Sequence, residues 1–96
     1  MTTINFQEIK NQIIERGLAH ADAINNATQQ VIVVNGEWRR DDTIKITGVS
    51  AGFIVSDFVK AVAIRNELPQ NLTSKQEIID LLQTQCPGAK IIAKVL

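Results

Sequence analysis

Apolar and polar positions along the chain follow different periods in different stretches, and these periods divide it into segments. Phe6, Ile9, Ile13 and Ile24 recur at helical spacing, with Glu8, Lys10, Asn11 and Glu15 on or near the opposite side. The pattern predicts an amphipathic first helix. Asn5 is placed to cap it, Glu8 follows three residues later as a capping-box partner, and Ile4 can staple onto Ile9. Gly17 interrupts the pattern and allows two outcomes. It ends the helix after Arg16 as a left-handed cap, or it is tolerated inside a longer helix at a cost of roughly 1 kcal/mol. Because LAHADAINNA beyond it is rich in Ala and poor in branched residues, the expectation is a helix running on to about Ala27, with a bend allowed at the glycine.

VIVVNGEWRRDDTIKIT comes next and reads as strands. Asn35-Gly36 is the preferred pair for a two-residue type I′ turn, which needs positive φ at both central positions. A hairpin closing there pairs Val34 with Glu37, Val33 with Trp38 and Ile32 with Arg39. Val31, Val33 and Trp38 then share a sheet face, and Ile44 and Ile46 have the same parity as Trp38. Asp41-Asp42 breaks the run of strand formers, which calls for a bulge or a second small turn.

From Ser50 to Asn66 the chain is apolar nearly all round, leaving Ser56, Asp57, Lys60 and Arg65 for water. The expectation is a central, buried helix stopped by Pro69. PQNL is a connector. Ser74 with Glu77, or Thr73 with Gln76, offers a capping box for a third helix carrying Ile78, Ile79, Leu81 and Leu82 and ending at Pro87-Gly88. AKIIAKVL is strand-like. The predicted order is α-β-β-α-α-β: a single α+β domain over residues 1–96, with about three strands (the Asn35-Gly36 hairpin plus the C-terminal strand) and helices packed on one face.

Composition narrows the function classes. Hydrophobic residues are 45% and charged residues 21% of the 96-residue chain, an ordinary balance for a self-folding domain. Ten basic and ten acidic side chains cancel, so no overall field gathers nucleic acid or anionic lipid. The single cysteine, Cys86, forms no internal disulfide and suits a reducing compartment. Neither a secretory signal nor a membrane-spanning apolar run is legible, and a cytoplasmic protein is expected. The N-x-T triplets at Asn26 and Asn71 then carry no glycosylation meaning.

Candidate chemistry is sparse. GVSAG at 48–52 has the form of a nucleophile elbow, which would make Ser50 a nucleophile. The only imidazole, His20, lies upstream, whereas the acid and the His follow the Ser in hydrolases of that kind, and the scaffold is too short for their sheet. Ser50 is therefore expected to cap a helix, with Gly48 and Gly52 easing a tight strand-to-helix turn. That same turn, Gly48, Ser50 and Gly52, is also a candidate anion site, although no P-loop lysine follows. Trp38, Arg39, Arg40 and Lys45 form the candidate binding surface, one ring and three cations that could stack bases and meet phosphates. Glu37, Asp41 and Asp42 oppose that use, and parity places Trp38 in the core. His20 lacks partners for a metal site, and Cys86 sits at a helix C-terminus where a thiolate is disfavoured. No catalytic residue, metal or cofactor is assigned. The expected function is a non-enzymatic binding or regulatory module acting on a protein partner or on itself, the terminal strand being the candidate for self-pairing. The alternative is a weak nucleic-acid binder, and a Ser50-dependent hydrolase is the third possibility.

Overall fold

A computed structural model describes residues 4–65 and 68–96 of the chain. Its elements are α1 (Phe6–Glu15), α2 (Ala21–Asn25), β1 (Gln30–Trp38), β2 (Ile44–Val55), β3 (Phe58–Ile64), α3 (Lys75–Gln85) and β4 (Ala89–Val95). The strands form one mixed sheet in the order β3-β2-β1-β4, antiparallel except for the parallel β1–β4 pair. The α+β class stands. The expected three strands become four, and the order is α-α-β-β-β-α-β. Among the described residues no helix is long and apolar enough to cross a membrane.

α1 carries the expected Asn5 cap: the Asn5 side chain accepts hydrogen bonds from the backbone N–H groups of Gln7 and Glu8, both at 3.1 Å. Its end corrects the expectation of a helix continuing to Ala27. Gly17 takes φ 70°, the Gly17 N–H donates to the Ile14 carbonyl, and the Leu18 N–H donates to that of Ile13. These two bonds are the Schellman arrangement, which satisfies carbonyls the helix would leave open. The Ala-rich stretch beyond restarts as the short α2, and Ile24 reaches the core from there.

The first hairpin turns at Asp41-Asp42 and not at Asn35-Gly36. Asp42 N–H donates to the Arg39 carbonyl, Arg39 N–H donates to the Thr43 carbonyl at 2.8 Å, and Asp42 takes φ 63°. This is a type I turn followed by a left-handed residue, the usual three-residue hairpin loop. The Asp41 carboxylate accepts from both the N–H and the hydroxyl of Thr43, which pins the loop. Asn35 and Gly36 remain inside β1, where the register with β2 slips by one residue: Gly36 pairs with Ile46 and Asn35 with Gly48, leaving Thr47 as the extra residue of a bulge. The pairings expected from an Asn35-Gly36 turn are therefore replaced, Trp38 lying opposite Ile44 and Val33 opposite Ser50.

The largest correction concerns the helix expected over Ser50–Asn66, whose last residue lies outside the described residues. That stretch is the second half of β2, a turn and β3. Ser56 and Asp57 have φ of 49° and 69°, and Val55 pairs with Phe58. The type I′ turn thus exists, built on Ser-Asp. Both faces of this hairpin carry apolar or small residues, which hides the period of two behind a pattern resembling a buried helix.

α3 is capped by Ser74, whose hydroxyl accepts from the Glu77 N–H at 3.2 Å. The Glu77 carboxylate reaches one residue further back than a capping box requires and takes both the N–H and the hydroxyl of Thr73. Ahead of it, Leu68 and Leu72 are buried, and the Leu72 carbonyl accepts from the Ile44 N–H at 2.7 Å. This segment lies along the half of β2 that extends beyond β3.

Side chains from all three helices enter one core. Ile9, Ile13, Ile24, Ile78 and Leu82 pack with Ile32, Val34, Ile44, Ile46, Val49, Ala51, Phe53 and Val62. The bulge at Thr47 explains how both Ile44/Ile46 and Val49/Ala51/Phe53 reach the same face: one extra residue flips the parity. Phe6 meets Phe53 edge-on at 5.8 Å between ring centroids, and the Lys10 ammonium lies 5.2 Å from the centroid of the same ring.

Candidate functional site

Strand registers place the remaining sheet residues on the other face. Ala63, Ser50, Val33 and Ile92 form one row across all the strands; Ala61, Gly52, Val31 and Lys90 form the next, and Val59 lies opposite Ile54. None of the apolar members belongs to the helix-side core. Val31, paired with the side-chain-free Gly52, is fully buried. Val33, Ser50, Ile54, Ala61 and Ile92 are half-buried, while Val59 and Ala63 are exposed. Lys90 and Lys94 stand on this face at the β4 side. The sheet therefore has one face under the helices and a second face that none of the helices covers, apolar or small along its middle rows and polar toward its end and β4 side, where Asn35, Glu37, Lys45, Lys90 and Lys94 stand.

The residues singled out from the sequence are distributed differently from what their spacing suggested. Gly48, Ser50 and Gly52 form no strand-to-helix turn; all three lie within β2, so neither a nucleophile elbow nor a helix-start anion cradle is built there. Gly52 has another use, since a Cβ on it would approach the Ala61 Cα to 2.6 Å. Ser50 opens onto the uncovered face, whereas His20 immediately precedes α2 on the helix side.

Trp38 leaves the core it was expected to join. It shares the helix-side face with Ile44 but lies at the end of the sheet, 46% exposed. Its N–H donates to the Leu96 carbonyl, which extends the β1–β4 ladder. Arg39 is committed to structure: its guanidinium donates to the Gln70 carbonyl, to the Gln70 side-chain oxygen at 3.2 Å and to the Thr43 hydroxyl at 3.2 Å. Arg40 is exposed in the hairpin loop. Lys45 pairs with Glu37 and points to the face opposite Trp38. Trp38 and Arg40 thus remain together at the hairpin tip, and Lys45 is separated from them.

Electrostatics adds little that could drive chemistry. Hydrogen bonds from the Thr43 side chain and backbone hold the Asp41 carboxyl below its ordinary value, those from Thr73 do the same for Glu77, and burial pushes the Cys86 thiol up. Among the described residues no three His, Cys, Asp or Glu side chains cluster as metal ligands do. A hollow of about 400 Å³ lies between the end of α2 and the β2–β3 turn, lined by residues such as Asn26, Thr28, Gln29, Ile54 and Ser56, with no titratable side chain among the described residues of its walls.

The uncovered face was the feature that sequence reading missed. Its signal was present in the alternation of Val59, Ala61 and Ala63 with Phe58, Lys60, Val62 and Ile64, once that stretch is read with period two. No family model, curated protein or solved structure matches the chain.

Proposed function

We propose that this chain is a non-enzymatic binding module that engages a protein partner through the uncovered face of its sheet. The observation that carries the reading is the row Ala63, Ser50, Val33 and Ile92, apolar or small throughout and lying outside the helix-side core. A sheet face in water normally carries polar residues, so an apolar stretch in the middle of the second face marks a surface meant to be covered. The lysines at its β4 side supply a polar rim of the kind interfaces carry. A reducing, cytoplasmic setting accords with the lone Cys86.

The test is affinity capture with wild-type protein and the Ser50→Glu/Ile92→Glu variant, neither substitution lying on β3, with folding checked by circular dichroism. A protein retained by the wild type and depleted about tenfold or more by the variant supports the reading, since charges in the middle of an apolar interface cost at least that much. Equal capture by both, or capture by neither, overturns it.

Exposure of Trp38 beside Arg40 favours a second reading, nucleic-acid binding at the hairpin tip. It predicts single-strand affinity that falls steeply with salt and is lost in Trp38→Ala and Arg40→Ala. Absence of binding to single- and double-stranded probes at low salt removes it.

A further inference from the structure

The two edges of the sheet are β4 and β3, and they are defended unequally. β4 carries Lys90 and Lys94, the usual protection of an exposed edge. β3, FVKAVAI, carries one charge, no proline and no bulge, and two of the large exposed apolar side chains lie on it: Phe58 at 68% and Val59 at 45%. Its outer backbone groups follow from the turn. A two-residue hairpin makes Val55 and Phe58 a hydrogen-bonded pair, so such pairs recur at Phe53–Lys60, Ala51–Val62 and Val49–Ile64. The Ile54 N–H agrees with this alternation, since it points away from β3 and donates to the Gln29 carbonyl. Val59, Ala61 and Ala63 consequently aim their N–H and C=O groups outward, and among the described residues no hydrogen bond from another segment reaches them.

We propose that β3 pairs with β3 of a second copy of this chain, antiparallel and centred on Ala61, joining the two sheets into one. This inference goes beyond the face reading: it concerns the edge of the sheet and names a second copy of the chain as the partner. The register is chosen by the side chains. Centred on Ala61, the outward groups match completely: Ala61 exchanges both its hydrogen bonds with Ala61 of the partner subunit, and Val59 does so with Ala63 of the partner subunit. Phe58 falls opposite Ile64 of the partner subunit, giving the exposed ring an apolar neighbour, a contact repeated at both ends. Centring on Lys60 would set two ammonium groups face to face. Centring on Val62 would take Phe58 off Ile64. The two-fold axis stands perpendicular to the sheet, so both helical layers lie on one side and the two uncovered faces merge into a larger one.

Sedimentation equilibrium across micromolar to high-micromolar concentration tests this on the wild type and three variants. Ala61→Pro removes an N–H that is not used within the subunit and blocks pairing sterically. The wild type is expected to dimerise and Ala61→Pro to remain monomeric with an unchanged circular dichroism spectrum. Phe58→Glu, which sets a carboxylate against Ile64 of the partner subunit, is expected to weaken the dimer about tenfold, and Phe58→Leu to leave it within about threefold. If Ala61→Pro fails to fold, the two Phe58 variants decide. A strictly monomeric wild type overturns the proposal, as does a dimer insensitive to these substitutions. A monomer that still loses its captured protein in Ser50→Glu/Ile92→Glu sinks the self-pairing alone; a dimer whose capture is indifferent to those changes sinks the face reading alone.

Discussion

Gly52 of β2 and Ala61 of β3 lie so close across the sheet that a methyl group on Gly52 would stand 2.6 Å from the Ala61 Cα and overlap the Lys60 carbonyl oxygen. The second hairpin closes only because that position lacks a side chain. Gly52→Ala is therefore expected to destabilise the domain by about 3 kcal/mol, at the upper end of overpacking effects, because the obstacle is backbone and cannot rotate away. Urea unfolding of the two proteins checks it. Gly48→Ala is the control: a Cβ there meets nothing within 4 Å, and little change is expected.

Asp42 holds the left-handed position of the first hairpin, φ 63°. Asp tolerates that region better than most residues, yet glycine enters it without steric cost. Asp42→Gly is expected to change stability by no more than about 1 kcal/mol, while Asp42→Val should lower it by about 1–2 kcal/mol, since a branched side chain is strained there. Thermal unfolding of the pair reads the difference.

Arg39 and its neighbour Arg40 differ in use despite their adjacency. Arg39 ties the hairpin tip to Gln70, whose side-chain oxygen also accepts from the Ile46 N–H at 3.4 Å. Arg39→Ala should cost about 1 kcal/mol in chemical denaturation, the net worth of a partly exposed charge-assisted group of bonds. Arg40→Ala should stay within about 0.5 kcal/mol, as expected for an exposed side chain.

Two carboxylates give the domain a defined acid response. Thr43 holds Asp41 below its ordinary value of 3.8, and Thr73 holds Glu77 below its ordinary value of 4.5. A carboxyl with a depressed folded value binds fewer protons in the folded than in the unfolded chain. Its stabilisation is complete above the ordinary value and drains away as pH falls through the lower, folded one. Thr73→Val should therefore cost more stability at pH 7 than at pH 2, so that its curve of stability against pH flattens on the acid side. Denaturant titrations at a series of pH values measure this, and an equal cost at both ends contradicts it.

Local signals in the sequence were accurate wherever one residue's chemistry decides the backbone. Asn5 and Ser74 cap their helices as their side-chain oxygens dictate, and Pro87-Gly88 ends α3 before β4. They failed where the sheet decides. Asn35-Gly36 has the stronger turn chemistry, yet Ser56-Asp57 and Asp41-Asp42 turn, because only those positions let β2 pair with strands on both sides. The helix expected from Ser50 onward failed because Val59, Ala61 and Ala63 supply a second apolar face where an ordinary half-exposed strand would be polar. The bulge at Thr47, which sends Val49 and Phe53 to the core with Ile44 and Ile46, leaves no mark in residue type. The candidate site was hidden for the same reason: it is a property of strand register, visible only once Val59, Ala61 and Ala63 are read with period two, and Gly48, Ser50 and Gly52 carry a motif whose required turn is absent.

Residue-resolved amide hydrogen exchange along Phe58–Ile64 tests the central claim, an edge strand whose alternate groups await a partner. At low micromolar concentration Phe58, Lys60, Val62 and Ile64 should be protected while Val59, Ala61 and Ala63 exchange freely, and raising the concentration should bring protection to those three. Uniform protection of consecutive amides at every concentration, as a helix or a covered edge would give, contradicts it, and so does alternation that ignores concentration.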